Sequence, residues 1–181
     1  MAHIQVPEGI PGIRSLFVFR PETAKPLLEL AETLLRKPSS LTQGERELIA
    51  SYVSHLNSCK YCTRSHSAFA AEYFKGDAAL VEQVKSNPET APISAKLKAL
   101  LRIAGKVQGD ARTVARADID QAKACGASEI EIHDTVLIAA AFCMFNRYVD
   151  GLGTWAPDDS EVYRQNARRI ATEGYLAVPT K

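Results

Sequence analysis

The sequence carries almost no excess charge of either sign. It has 22 Lys and Arg residues against 21 Asp and Glu residues, a formal net charge of +1. Such a chain has no broad electrostatic field with which to attract nucleic acid or an anionic membrane surface. It also has only 4 cysteines in 181 residues, too few for the disulfide framework of small secreted domains. We therefore expect no nucleic-acid partner, and the cysteines need another explanation.

Long apolar stretches are also missing. The most apolar run, residues 135–145, is far shorter than the roughly 20 residues that a helix needs to cross a bilayer. Near the N-terminus, Pro7, Pro11 and Arg14 interrupt the apolar residues, so the continuous core of a signal peptide is not present. These features predict a cytoplasmic protein without a membrane partner.

The composition supports one hydrophobic core. With 46% apolar residues in 181 positions, we expect a single domain over residues 1–181. Residues 1–20 hold several prolines and glycines before a short apolar stretch, which indicates an arm laid across the body rather than a helix. Residues 20–155 form the predicted helical core, and residues 156–181 form a C-terminal helical extension.

Helical periodicity recurs along the core, and no convincing strand pattern appears, which predicts an all-α fold. Thr42 and Glu45 fit a capping box that opens a helix over residues 43–56, and Ser128 and Glu131 repeat this pattern before a helix from residue 129 to about 149. Further helices are predicted over residues 22–36, from 59 until the glycine at 76, over 77–86 and 94–107, in a segment that ends at 126, and over 159–172.

The long helix after position 128 is apolar on nearly every side between residues 136 and 145. A soluble monomer of this size does not easily cover such a helix. We therefore predict that it is central in the domain, or shared with a second copy, and that the protein is a homo-oligomer.

The strongest chemical signal is a C-x-x-C motif at Cys59 and Cys62, followed four residues later by His66. Steps of three and four place both sulfurs and the imidazole along one stripe of a helix. Two cysteines so spaced can close into a disulfide with little rearrangement, which suits a cycle of oxidation and re-reduction. We expect Cys59 in the first helical turn, where free backbone N–H groups and the helix dipole favour a thiolate.

A proton relay to this motif is also predicted. His66 is placed to accept the proton of Cys62, as a base does beside a catalytic thiol. If the chain turns near residues 57–58, Glu47 and His66 lie at similar distances from the turn, differing by roughly 3 Å of helix rise. Glu47 can therefore meet His66 across the helix pair and complete the relay.

The same residues admit other interpretations. Cys59, Cys62 and His66, with Glu47 as a fourth ligand, are chemically acceptable to zinc, although structural zinc sites usually draw ligands from two elements. Two cysteines three residues apart can also be ordinary buried side chains. A thioredoxin-type enzyme would need a strand before the motif and a βαβ context after it, and neither is present.

The pattern of Glu47, eleven residues, Cys59-x-x-Cys62, three residues and His66 resembles the AhpD-like alkylhydroperoxidase branch of the carboxymuconolactone decarboxylase superfamily. Residues 45–49 (Glu-Arg-Glu-Leu-Ile), 56–62 (Leu-Asn-Ser-Cys-Lys-Tyr-Cys) and 145–147 (Phe-Asn-Arg) carry the rest of the resemblance. It spans roughly residues 20–155 and is strongest to the uncharacterised peroxidase-related group. It implies an all-helical, oligomeric fold.

The resemblance also implies roles for the site residues. Cys62 would attack a hydroperoxide, Cys59 would resolve it as a disulfide, and His66 and Glu47 would relay protons, with no cofactor. A dithiol, such as a lipoyl group on a partner protein, would supply the reducing equivalents. Tyr61 is a departure, because well-known members often carry a histidine inside the C-x-x-C.

The leading hypothesis is therefore a thiol-dependent peroxidase. The alternatives are a lyase like carboxymuconolactone decarboxylase, which would use acid–base residues without a redox pair, and a non-enzymatic zinc-binding or assembly protein.

Overall fold

Every regular element in residues 2–178, the part of the chain that the computed structural model describes, is helical. This confirms the all-α prediction. The α-helices are α1 (Ile13–Phe19), α2 (Pro21–Leu35), α3 (Gln43–Leu56), α4 (Lys60–Tyr73), α5 (Ala78–Ser86), α6 (Ala95–Asp110), α7 (Arg116–Ala124), α8 (Glu129–Gly151) and α9 (Ser160–Glu173). Short 3-10 turns follow α6 at Ala111–Thr113 and α9 at Tyr175–Ala177.

The first helix corrects the expectation that the N-terminal arm is not helical. Gly12 has a φ of 55° and turns the chain into α1, where the Ser15 hydroxyl donates to the Gly12 carbonyl at 2.8 Å. Leu16 and Phe17 are buried on the body. Aromatic and β-branched residues have modest helix propensity, but burial of one face against the rest of the protein outweighs it.

The pair α3 and α4 forms the frame of the candidate site. The predicted capping box at the start of α3 is confirmed: the Thr42 backbone N–H donates to Glu45 at 2.8 Å, and the Glu45 N–H donates to the Thr42 hydroxyl at 3.2 Å. Three residues join α3 to α4, and Ser58 among them has a positive φ of 58°. The two helices pack antiparallel along their length.

The central helix is α8, which contacts α3 and α6 along its buried face. Its predicted capping box is present, with the Ser128 backbone N–H donating to Glu131 at 2.8 Å. Ile138 and Phe142 are fully or almost fully buried, whereas Ile130, Leu137 and Met144 stay exposed along one side. Across residues 2–178, no helix combines the length and apolarity that a membrane crossing requires.

The C-terminal part folds back over the site. Helix α9 packs along α4, and the turn Tyr175–Ala177 packs on α2. Gly174 has a φ of 83°, and a Cβ there would meet the Glu32 carboxylate, which accepts the Tyr175 backbone N–H at 2.8 Å. This turn places the Tyr175 side chain in the interior.

Candidate active site

Both cysteines of the motif are buried free thiols. Cys59 is the N-cap of α4 and Cys62 lies in its first turn. The Cys59 backbone is held on both sides, since its N–H donates to the Ser54 carbonyl at 3.1 Å and its carbonyl accepts the Thr63 N–H at 2.9 Å. The start of α4 therefore fixes the position of the pair.

The surroundings of Cys59 favour its protonated form. A hydrogen bond with Cys62, together with burial, raises the pKa of the Cys59 thiol. The expectation that the helix terminus favours a thiolate at Cys59 is therefore wrong, because the raised pKa keeps this thiol protonated. Desolvation and the neighbouring sulfur outweigh the helix dipole at this position.

The predicted contact between Glu47 and His66 is present. Oε2 of Glu47 lies 2.7 Å from Nδ1 of His66, which joins α3 to α4 as the spacing indicated. The Glu47 side chain is 0% exposed and that of His66 is 12% exposed. A buried carboxylate needs partners for both oxygens, because water cannot reach it.

Tyr175 supplies the second partner and was missed by the sequence analysis. Its hydroxyl donates to Oε1 of Glu47 at 2.5 Å. Burial and the adjacent Glu47 charge raise the pKa of Tyr175 well above its ordinary value, so it remains a proton donor. An ionised carboxylate only accepts, so we assign the Nδ1 proton to His66, which leaves Nε2 as the free acceptor of the ring.

Aromatic rings hold the His66 imidazole in place. Phe142 meets it edge-on, with ring centroids 4.5 Å apart, and Phe69 does the same at 5.0 Å. The Tyr175 ring is nearly parallel to it at 6.4 Å. These contacts and the Glu47 bond fix the orientation of the ring.

An apolar cavity of about 60 Å³ lies beside this ring. Its walls come from α1, α2, α4, α8 and the C-terminal turn, namely Ile13, Phe17, Leu27, Leu28, Ala31, Tyr61, Cys62, His66, Phe142, Phe145 and Tyr175. Cys62 lines this cavity, whereas Cys59 does not line it and is 0% exposed. A small molecule in the cavity would therefore meet Cys62 and His66 together.

Tyr61, inside the motif, packs against the N-terminal segment. It is buried, and a Cβ at Gly12 would overlap its ring. Burial raises the pKa of Tyr61 to about 12, so the phenol is neutral near pH 7. Where well-known relatives often carry a histidine, this chain has a neutral side chain that supports the N-terminal segment.

The arrangement considered for zinc is not formed. Within residues 2–178, no three His, Cys, Asp or Glu side chains are grouped so that they could hold a metal ion. Glu47 instead uses one oxygen for His66 and the other for Tyr175.

A wider hollow of about 440 Å³ lies between α4, α5 and α9. It contains none of the four predicted site residues. Its four cations are matched by acids: Arg64 by Asp158, Lys85 by Glu82, and both Arg164 and Arg168 by Glu161. The small cavity at Cys62 is therefore the better candidate for chemistry, despite its size.

Comparison with known proteins agrees with a candidate site at Cys62 and His66. Residues 21–82 match the model of the carboxymuconolactone decarboxylase family, a segment that contains Glu47, Cys59, Cys62 and His66. No curated protein matches the chain.

Solved structures extend the likeness to nearly the whole chain. An alkylhydroperoxidase AhpD core protein from Ralstonia eutropha JMP134, an uncharacterised peroxidase-related protein, is 26% identical with a TM-score of 0.80, covering 90% of this chain and 96% of that one. An uncharacterised peroxidase-related protein from Silicibacter sp. TM1040 is 26% identical with a TM-score of 0.76, covering 86% and 79%. A protein of unknown function from Agrobacterium tumefaciens, 19% identical with a TM-score of 0.71, shares the fold and covers 88% and 100%. Together these matches show that the chain is similar to the carboxymuconolactone decarboxylase family over residues 21–82 and to AhpD-like, peroxidase-related proteins over most of its length.

Proposed function

We propose that this protein is a thiol-dependent peroxidase that reduces a hydroperoxide and cycles through a Cys59–Cys62 disulfide. One observation carries the proposal: the hydrogen-bonded chain from Tyr175 through Glu47 reaches His66, and His66 lines the same cavity as Cys62. Likeness to peroxidase-related proteins supports the same reaction class.

The first step consumes the peroxide. Nε2 of His66 takes the Cys62 proton, and the thiolate attacks the terminal oxygen of the hydroperoxide. An S–O bond forms as the O–O bond breaks, which leaves a sulfenic acid on Cys62 and an alkoxide that recovers the proton from His66. The Glu47 carboxylate stabilises the imidazolium in between, so the peroxide leaves as an alcohol.

The second step forms the disulfide. The Cys59 sulfur attacks the sulfur of the Cys62 sulfenic acid, and the hydroxyl leaves as water with the Cys59 proton. Cys62 lies near enough to Cys59 to raise the pKa of its thiol, so the two sulfurs start this step close together. An external dithiol then reduces the disulfide by thiol exchange and is itself oxidised to a disulfide. We propose a lipoyl group on a partner protein as that dithiol, in the cytoplasm, where thiols stay reduced.

We also propose that the protein works as a homo-oligomer. Ile130, Leu137 and Met144 recur at seven-residue spacing on α8 and are 67%, 38% and 43% exposed. Such a stripe would be covered by a second copy. Light scattering should give a mass of at least twice 19.8 kDa, which Leu137→Lys should reduce; a monomeric native protein would refute this part.

A lyase is the second candidate, because the family model names a decarboxylase and the His66–Glu47 pair can move a proton without a thiol. Such an enzyme would keep its activity in a Cys59→Ser, Cys62→Ser double variant, whereas the peroxidase would lose it.

Mass spectrometry of thiol-blocked protein, before and after one equivalent of hydroperoxide, tests the peroxidase directly. We expect a new Cys59–Cys62 disulfide with Cys125 and Cys143 still free. Bound metal is quantified in the same samples. Persistence of both motif thiols, or their protection by stoichiometric zinc, would contradict the peroxidase.

A further inference from the structure

A second cavity of about 60 Å³ lies on another side of His66. It shares Ile13, Phe17, Leu28, Tyr61, His66 and Tyr175 with the cavity at Cys62. Unlike the first, it is also lined by Arg14, Ser65 and Asn166, which come from α1, α4 and α9. Because the two cavities share these walls, they adjoin, and a molecule that occupies both would have an apolar body near Cys62 and a polar end here.

Two hydrogen-bonding groups at this second cavity lack partners within residues 2–178. The Oγ of Ser65, a residue that is 3% exposed, has none, and neither does the buried Nε of Arg14. The Ser65 hydroxyl lies near the Tyr61 phenol without forming a hydrogen bond of good geometry. A buried polar group without a partner is unfavourable, so each such group needs an explanation.

Positive charge accumulates at the same place. Burial and the charge of Arg14 lower the pKa of Arg169, and the charge of Glu173 opposes them. The charge of Arg14 also counters the effect of burial on the pKa of Tyr61. Arg169 is held by Asn166, whose Oδ1 accepts its Nη2–H at 2.7 Å. An anion at Arg14 would relieve this repulsion.

We propose that the second cavity binds a carboxylate, so that the substrate is a small organic hydroperoxide with a carboxylate at the end remote from its O–O bond, an inference that rests on the proposed function. The guanidinium of Arg14 offers the planar, bidentate geometry that suits a carboxylate, and Ser65 adds a hydroxyl donor. The small volumes of the two cavities restrict the connecting chain to a few carbons.

Binding of a substrate analogue without a peroxide group tests the site apart from any turnover. We would titrate isocaproate and its neutral isostere isocaproamide by calorimetry. We expect isocaproate to bind about tenfold or more tightly than the amide, since hydrogen bonds to a charged group are the stronger kind. Arg14→Gln and Ser65→Ala should remove the preference, and the control Arg164→Gln, in the other hollow, should keep it.

Folding is a separate control for these variants. Because the Ser65 hydroxyl has no partner within residues 2–178, Ser65→Ala should unfold at the same urea concentration as the native protein or higher. A loss of isocaproate binding in a folded Ser65→Ala variant therefore reports on the site. Equal binding of the acid and the amide by the native protein would overturn the inference.

Turnover separates this inference from the proposed function. We expect kcat/KM for γ-hydroperoxyisocaproate to exceed that for its methyl ester by about tenfold, and Arg14→Gln to lower the acid-to-ester ratio towards one. Turnover of both compounds at equal rates would overturn the carboxylate site while leaving the peroxidase. Selective isocaproate binding without any turnover would contradict the proposed peroxidase activity but support the carboxylate site.

Discussion

The hydroxyl of Tyr175 donates a 2.5 Å hydrogen bond to the buried carboxylate of Glu47, although 128 residues separate the two in the chain. The turn after α9 is therefore part of the candidate active site. With His66 on the other oxygen, Tyr175 completes the set of partners that a carboxylate needs when it is removed from water. The C-terminal segment thus stabilises the charge that keeps the His66 ring in its working tautomer.

The variant Tyr175→Phe removes this donor and keeps the ring. We expect it to lower the free energy of unfolding by about 1–3 kcal/mol, because a buried carboxylate oxygen loses its partner. It should also slow alkylation of Cys62 by iodoacetamide at pH 7, since Glu47 would then orient His66 less firmly. Urea denaturation and timed alkylation measure the two effects. Tyr148→Phe on α8 is the matched control, and equal values for both variants would argue against this role of Tyr175.

The order of the two cysteines makes a kinetic prediction. Cys62→Ser should abolish peroxide reduction, because the residue that lines the cavity is the attacking group. Cys59→Ser should allow one stoichiometric attack and then stall with a sulfenic acid on Cys62, which dimedone would trap. Rapid-mixing kinetics and mass spectrometry follow both. Cys143→Ser is the control. Full turnover in both motif variants would contradict the proposed disulfide cycle.

His66→Gln tests the base. Without the imidazole, Cys62 lacks a proton acceptor, so the pH profile of its alkylation should move to higher pH. Peroxide reduction near pH 7 should fall about a hundredfold, a typical effect of losing a general base. His55→Gln, at the exposed end of α3, is the control. An alkylation profile that does not move would remove His66 from the relay.

Local sequence signals predicted the frame of the site and part of its chemistry. The capping box of Thr42 and Glu45 places α3 at Gln43–Leu56, as predicted, and spacing about the turn together with the family resemblance paired Glu47 with His66. These features depend on neighbours along one helix or across one turn. Tyr175 has no such signal, because only the path of the whole chain brings its hydroxyl to Glu47.

The helix α1 was missed for a related physical reason. Its apolar residues form a helix because Leu16 and Phe17 are buried against the body, which no local pattern reveals. The raised pKa of Cys59 was missed as well, because it depends on the neighbouring Cys62 and on burial more than on helix position.

The neutral Tyr61 phenol predicts sensitivity to alkali. Burial raises its pKa in the folded state to about 12, above the ordinary value near 10 of an unfolded chain. Above pH 10 the unfolded chain therefore binds fewer protons than the folded protein. The contribution of Tyr61 to the free energy of unfolding is complete below pH 10 and is lost as the pH rises towards 12. For this group, each pH unit in that range should lower the free energy of unfolding by about 1.4 kcal/mol. Between pH 10 and 12, the free energy of unfolding measured by urea denaturation should fall less steeply in Tyr61→Phe than in the native protein or in Tyr148→Phe. Parallel pH dependence in all three proteins would contradict a buried neutral phenol.

Two glycines near α1 allow a paired test of how the N-terminal segment closes the cavity. Gly9 and Gly12 both have positive φ, 73° and 55°, but a Cβ at Gly9 meets nothing within 4 Å, whereas one at Gly12 would overlap the Tyr61 ring. Replacement by alanine strains the backbone at both positions by roughly 1 kcal/mol or more, and at Gly12 it must also displace α1 or Tyr61.

We therefore expect Gly12→Ala to lower the free energy of unfolding more than Gly9→Ala does, by about 1–3 kcal/mol. Because Ile13 and Phe17 of α1 line the cavity at Cys62, the same displacement should widen it. The ratio of kcat/KM for bulky cumene hydroperoxide to that for hydrogen peroxide should rise in Gly12→Ala and stay at the native value in Gly9→Ala. If both variants lose the same stability and keep the native ratio, contact between Gly12 and Tyr61 does not control access to Cys62.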